Sequence, residues 1–177
     1  MEDAQLAAAL REAAYLEGDF TLRSGKKSRY YLDKYLFETN PRLLRALASR
    51  FAAFAGDAID RIAGAELGAV ALAAATALEC DKPFVIVRNA RKADYGTGRR
   101  VEGALRPGDR LLLVEDIATS GGQAIEAVRT LRDAGAEVLR VVVAVDRMEG
   151  AREKILATGC AFDALFTSED LGIIPAL

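Results

Sequence analysis

The sequence contains no histidine at all. Every Ser-His or Cys-His nucleophile and every imidazole-ligated metal is thereby excluded, and chemistry must run on carboxylates, arginine, lysine, tyrosine, hydroxyls and backbone amides. Cysteine is nearly absent too. Cys80 and Cys160 lie far apart in a chain of 177 residues and form no metal-ligand spacing. They read as small buried apolar residues of a cytoplasmic protein. No apolar run approaches the roughly 18 residues a membrane span needs. The first twenty residues lack a basic region followed by an uninterrupted apolar core, which argues against a signal peptide. Net charge is small as well, −2 from 24 basic and 26 acidic residues. A general affinity for nucleic acid is therefore not expected, and any polyanion must meet a local basic patch.

What remains is ordinary for one globular domain spanning 1–177, with 51% apolar and 28% charged residues. Leu6, Leu10, Ala13 and Ala14 share a face of an opening helix, for which Gly18 is the expected stop. A second helix starts with Asn40 as cap and Pro41 in its first turn, and carries Leu44, Leu47, Phe51 and Phe54 on one stripe. Between them FTLRSGKKSRYYLDKYLF (20–37) reads as a turn at Ser24-Gly25 within an aromatic, strand-like arm, so that 1–40 forms a small N-terminal hood. From 61 onward short apolar strands alternate with helices. The strands are RIAGA, FVIVR (84–88), LLLVED (111–116), VLRVVVAVD (138–146) and AFDALFT. The helices are LGAVALAAATALEC, QAIEAVRTLRDAG (inward Ala124, Ile125, Val128 and Leu131) and one around 150–158. Continuous Val/Leu/Ile strands separated by helices predict an α/β, doubly wound, mainly parallel sheet with helices on both faces. The basic stretch 88–103 is the one long excursion.

In such sheets ligands sit beyond the carboxyl ends of the strands. Three strand candidates carry charge there: Arg88, the pair Glu115-Asp116, and Asp146-Arg147. After the acidic pair the chain runs through Ile117, Ala118, Thr119, Ser120, Gly121, Gly122 and Gln123 into a helix. Helix-terminal amides without intrahelical partners, flanked by small side chains, suit a phosphate. No Gly-Lys-Ser/Thr follows and no G-x-G-x-x-G is present, so neither a nucleoside-triphosphate loop nor a dinucleotide site is indicated. Carboxylates just upstream suggest a sugar phosphate, with hydroxyls donating to the acids. Glu115 and Asp116 alternate along the strand, so one faces the ligand and the other braces the loop. The excursion RNARKADYGTGRRVEG has five bases, and reads either as a solvated hairpin or as a lid closing over a polyphosphate.

LLLVEDIATSGGQAIEAV (111–128) resembles the phosphoribosyl pyrophosphate (PRPP) motif of class I phosphoribosyltransferases. FTLRSGKKSRYYLD, VRNARKADYGTGRRVEG and VAVDRMEGAREKI are similar to segments of the orotate phosphoribosyltransferases in particular. The resemblance implies Mg²⁺-dependent transfer of ribose 5-phosphate from PRPP to orotate, in pyrimidine synthesis. The ion would be held by PRPP and water, not directly by protein. It also implies a homodimer in which the 88–103 lid of one subunit covers the other's site, with no nucleic-acid or membrane partner. Carried over by position, Arg23, Arg88, Arg91, Lys92, Tyr95 and Glu115 through Gln123 meet PRPP. Lys92, Glu115 and Asp116 are the catalytic candidates, and Tyr31, Thr119 and Arg147 hold orotate, Arg147 facing its carboxylate. The match departs from the family at GAELGAV, where Gly68 stands for a usual lysine. The lid also has one residue more than usual between Arg88 and Tyr95. Another nucleobase as acceptor, or a PRPP-sensing regulator without catalysis, are the competing expectations.

Overall fold

The computed structural model describes residues 1–21, 25, 27–88 and 99–173. The expectations for Arg23, Ser24, Arg91, Lys92 and Tyr95 fall outside these residues.

Helix α1 (Asp3–Ala14) buries Leu6, Ala7, Leu10 and Ala14. It ends four residues before Gly18, because Tyr15 already pairs with Leu32. Strand β1 (Tyr15–Thr21) and strand β2 (Lys27–Leu32) form the antiparallel arm, and Gly18 lies inside β1 where the register shifts between Glu17 and Phe20. The arm does not run on as a strand. After Asp33, whose carboxylate accepts from the Tyr35 amide at 3.1 Å, the chain turns into a five-residue helix α2 (Lys34–Glu38).

Helix α3 (Pro41–Ala52) starts as the sequence predicts: Asn40 Oδ1 accepts from the amides of Arg42 (3.0 Å) and Leu43 (3.3 Å). Its buried stripe is Leu43, Leu47, Ala48 and Phe51. Leu44 and Phe54 pack only at its margin, Phe54 beyond the helix end and beneath the Arg140 guanidinium. Full burial of each large side chain in that stripe contributes about 1.5–3 kcal/mol.

The main sheet contains β3 (Arg61–Ala65), β4 (Phe84–Val87), β5 (Val101–Glu102), β6 (Arg110–Ala118), β7 (Glu137–Asp146) and β8 (Ala161–Thr167). Their spatial order is β5-β4-β3-β6-β7-β8, and all pairs are parallel except β4 with β5. β5, which the sequence pattern does not predict, returns the 88–103 segment to the sheet edge, pairing Val101 with Val87 and Glu102 with Ile86. Helix α4 (Gly68–Cys80) joins α1 and α3 over one face. Helices α5 (Gly122–Asp133) and α6 (Ala151–Leu156) cover the other. Leu112 and Val114 of β6 point into the first apolar cluster, Leu111 and Leu113 into the second. This is the doubly wound arrangement that continuous apolar strands require. Cys160 is buried as expected; Cys80, also a free thiol, is only half-buried.

At the amino ends of β3 and β6 the charges neutralise one another. Arg61 pairs with Asp109 at 2.5 Å and Arg110 with Asp60 at 2.9 Å.

Candidate active site

The chain runs β3, β4, β5 to one side and then places β6 on the other side of β3. That reversal opens a crevice beyond the carboxyl ends of β3 and β6. Its two rims are the turn Glu66-Leu67 leading into α4 at Gly68, and the turn Thr119-Ser120-Gly121 leading into α5.

Strand β6 continues two residues past the acidic pair, through Ile117 and Ala118, so Glu115 and Asp116 lie inside the strand and not at its end. Both are almost fully buried, at 3% and 2% exposure. By alternation Asp116 follows Leu112 and Val114 toward the α4 face, while Glu115 follows Leu111 and Leu113 toward the α5 face. The division of labour shows in the hydrogen bonds. Glu115 Oε1 accepts from the Asp116 amide at 3.1 Å, bracing the strand end. Asp116 Oδ1 accepts from the Ile117 amide, and its Oδ2 accepts from Lys34 Nζ at 2.6 Å.

Around this point three carboxyl groups meet one ammonium. Burial, then the charge of Asp116, pushes both Glu38 and Glu115 up to about 8, against the pull of Lys34. Lys34 is held above its ordinary value: burial works against its charge, but Asp116 outweighs it by ion pair and hydrogen bond, helped by Glu115 and Glu38. Glu38 and Glu115 therefore hold protons in the folded protein that a free carboxyl releases near 4.5. Stability from such groups is complete below the unfolded value and is lost as pH rises through the folded one. The melting temperature of the unliganded protein is expected to fall between about pH 5 and 9, and Glu38→Gln to flatten that fall. A melting temperature flat over this range would refute the protonated assignment.

The α5 rim is built for an anion. Gly121 has φ +75°, and a Cβ there would sit 3.2 Å from Ala151 Cα, so glycine is needed for both conformation and space. No side chain caps the helix among the described residues, leaving the first amides of α5 to a ligand. Thr119 is half-buried, and Ser120, Gly122 and Gln123 are exposed on this rim.

Arg147 follows β7, next to β6, with its amide on the Ala118 carbonyl at 2.9 Å. Its guanidinium donates to the Tyr30 hydroxyl at 2.8 Å, lies over the Tyr30 ring, and pairs with Glu149 at 3.0 Å. Tyr30 is thus the packing member of the tyrosine pair, stacked on Tyr15, while Tyr31 is 40% exposed beside Phe20. The tyrosine that touches Arg147 is Tyr30. Asp146, buried, accepts from the Met148 amide and so shapes this turn. Arg88 stands two strands from Asp116, roughly 10 Å away by strand spacing. Its side chain pairs with Glu102 at 3.3 Å and its amide closes the hairpin on the Arg100 carbonyl. Lys34, Glu38 and Tyr30 lie against these candidate residues, and sequence spacing did not reveal them. Among the described residues no group of three or more Cys, Asp or Glu side chains is arranged to hold a metal ion. No helix of the described residues is long and apolar enough to cross a membrane.

An anion-ready turn after an acidic strand, at the switch point of a parallel sheet, accords with the family model that matches residues 38–161, the phosphoribosyl transferase domain. By fold and site, then, the class is that of the phosphoribosyltransferases. The orotate phosphoribosyltransferase of Natronomonas pharaonis is 49% identical over 172 residues, covering 97% of this chain and 98% of the relative. The crystal structure of that enzyme from Aeropyrum pernix superposes with a TM-score of 0.81 at 32% identity, covering 94% and 95% of the two chains. The Mycobacterium tuberculosis H37Rv enzyme in complex with PRPP gives 0.80 at 30% identity, covering 96% and 98%. The chain belongs to the orotate phosphoribosyltransferase family.

Proposed function

We propose that the crevice takes PRPP with its 5-phosphate on the Ala118–Gln123 turn and its ribose hydroxyls toward Asp116, and takes orotate between Tyr31 and Arg147. The enzyme transfers the phosphoribosyl group to N1 of orotate, giving orotidine 5′-phosphate and pyrophosphate. The C1–O bond breaks with its electron pair leaving on the pyrophosphate. N1 supplies the pair for the new C1–N bond from the opposite face, and its proton passes to solvent. No covalent intermediate on the protein is needed. Mg²⁺ bound by PRPP supplies neutralisation of charge growing on the leaving group. This chain's part is to orient the ribose, anchor the phosphate on free amides and present cations. By resemblance Arg23, Arg88 and Lys92 are assigned to the pyrophosphate end, and Arg91 and Tyr95 to PRPP more generally. The one observation that carries the reading is the acidic strand β6 running directly into an uncapped glycine turn, with Arg147 beside the end of that strand.

We read 1–177 as one catalytic unit and 88–103 as the lid over the pyrophosphate. A homodimer in which that lid serves the partner's site follows from the resemblance. Leu78 on α4 and Leu36 on α2, 86% and 43% exposed, are apolar surface that such an interface would cover. Two unpaired cysteines accord with a cytoplasmic setting. The deciding assay is loss of orotate absorbance on mixing the protein with PRPP and Mg²⁺, run beside adenine, hypoxanthine and uracil. Turnover of orotate alone is expected. Turnover of another base would keep the donor site and overturn the acceptor, and binding of PRPP without any turnover would make the protein a sensor.

A further inference from the structure

Lys34 Nζ lies 2.6 Å from Asp116 Oδ2, and the two residues are 82 positions apart in sequence. The lysine side chain is 24% exposed and the aspartate side chain 3%. α2 presents Lys34 and Glu38 on one face, four residues apart. The third wall is backbone. A Cβ placed on Gly68 would overlap Asp116 Oδ2 outright and lie 2.8 Å from Lys34 Nζ and 3.0 Å from Glu38 Oε1. The first residue of α4 thus has room for nothing larger than hydrogen, and the space beyond it is filled by a lysine from another element. Glu38 Oε1 is buried in the same pocket, and Glu115 Oε2 is buried on the other face of β6.

We propose that Lys34 is the positioning residue for Asp116 in the transfer reaction, and that Gly68 is bare so that this ammonium can reach it. The proposal rests on the reading that Asp116 meets the ribose of PRPP. A carboxylate that receives ribose hydroxyls must keep both its charge and its direction. The Ile117 amide fixes one oxygen and Lys34 the other. The charged and titratable groups around it are Asp33, Lys34 and Glu38 from α2 and Glu115 from β6, and the first turn of α4 adds no acid. Lys34 is the one cation in that set. Without it, three clustered carboxyls compete for protons and the reactive one loses its counterion. Position 68 therefore lies against an ammonium delivered from α2.

The test compares Lys34→Met, Lys34→Gln, Lys34→Arg and Asp116→Asn by steady-state kinetics with both substrates from about pH 5.5 to 9.5, with melting temperatures alongside. Lys34→Met is expected to lower kcat at least tenfold and move the acid limb of kcat/KM for PRPP upward by about one pH unit. Lys34→Gln, which keeps a donor and a similar length, is expected to fold like the parent and still show the shifted limb. Lys34→Arg should restore the profile. Lys34→Met and Lys34→Gln with the parental pH profile, whatever their melting temperatures, overturn the proposal while an inactive Asp116→Asn keeps the ribose assignment intact. Parental turnover in Asp116→Asn overturns both.

Discussion

Asp116→Asn is expected to lower kcat by two to three orders of magnitude while moving the melting temperature by only a few degrees. The substitution is nearly isosteric, and an asparagine Oδ1 can still accept from the Ile117 amide. What it removes is the charge in a pocket where Asp116 is 2% exposed and water cannot compensate. Electrostatic groups aimed at a developing cation in such a pocket contribute about 3–4 kcal/mol to the barrier, which is the stated loss in rate. Stability is expected to change little for a reason already in the pocket. Glu38 and Glu115 hold their protons partly because Asp116 is charged, so either can ionise beside Lys34 once that charge is gone. Rapid-quench measurement of single turnovers, with a thermal melt of the same sample, separates the two effects. An unchanged chemical step would remove Asp116 from the site.

Gly68→Ala is expected to cost at least tenfold in kcat/KM for PRPP, and about 1–3 kcal/mol in stability as overpacking of a buried site. At an exposed helical position the same change would gain up to about 1 kcal/mol from propensity. Here the new methyl group overlaps Asp116 Oδ2. Asp116 has little room to retreat, because its neighbours Glu115 and Ile117 are both paired with β7, and β6 is paired with β3 as far as Val114. The methyl group must therefore displace Lys34 or distort the start of α4, and each outcome disturbs the carboxylate. A stabilised and fully active Gly68→Ala protein would show that the pocket is looser than its geometry states. Denaturant melts and PRPP titrations of initial rate decide it.

The sheet was legible because strands buried on both faces are written as continuous apolar runs: RIAGA, FVIV and the β7 stretch appear in the structure close to where the sequence puts them. The 115–123 motif was legible because strand end, turn and helix start are contiguous. What stayed hidden depends on contacts between distant segments. α2 has five residues and no full period of its own; it forms because Asp33 caps it and Phe37 and Glu38 are buried on their neighbours. β5 has two residues and exists by virtue of β4. Nothing local marks Lys34 as the partner of an aspartate 82 positions away, or separates Tyr30 from Tyr31 before the arm folds against Arg147. Gly18 is not the helix stop because Tyr15 already pairs with Leu32 and stacks on Tyr30.

The short return strand β5 bears on how the enzyme behaves at high concentration. An unpaired sheet edge is a template on which a second chain can add a strand and begin an aggregate. Here β4 is closed by only two residues, with Arg100 and Glu102 at that border and Arg88 paired to Glu102. At the opposite border the middle of β8 carries Asp163, paired with Arg140. Each rim of the sheet thus ends in a charge or in a strand too short to recruit another, which keeps copies of the chain from fusing edge to edge.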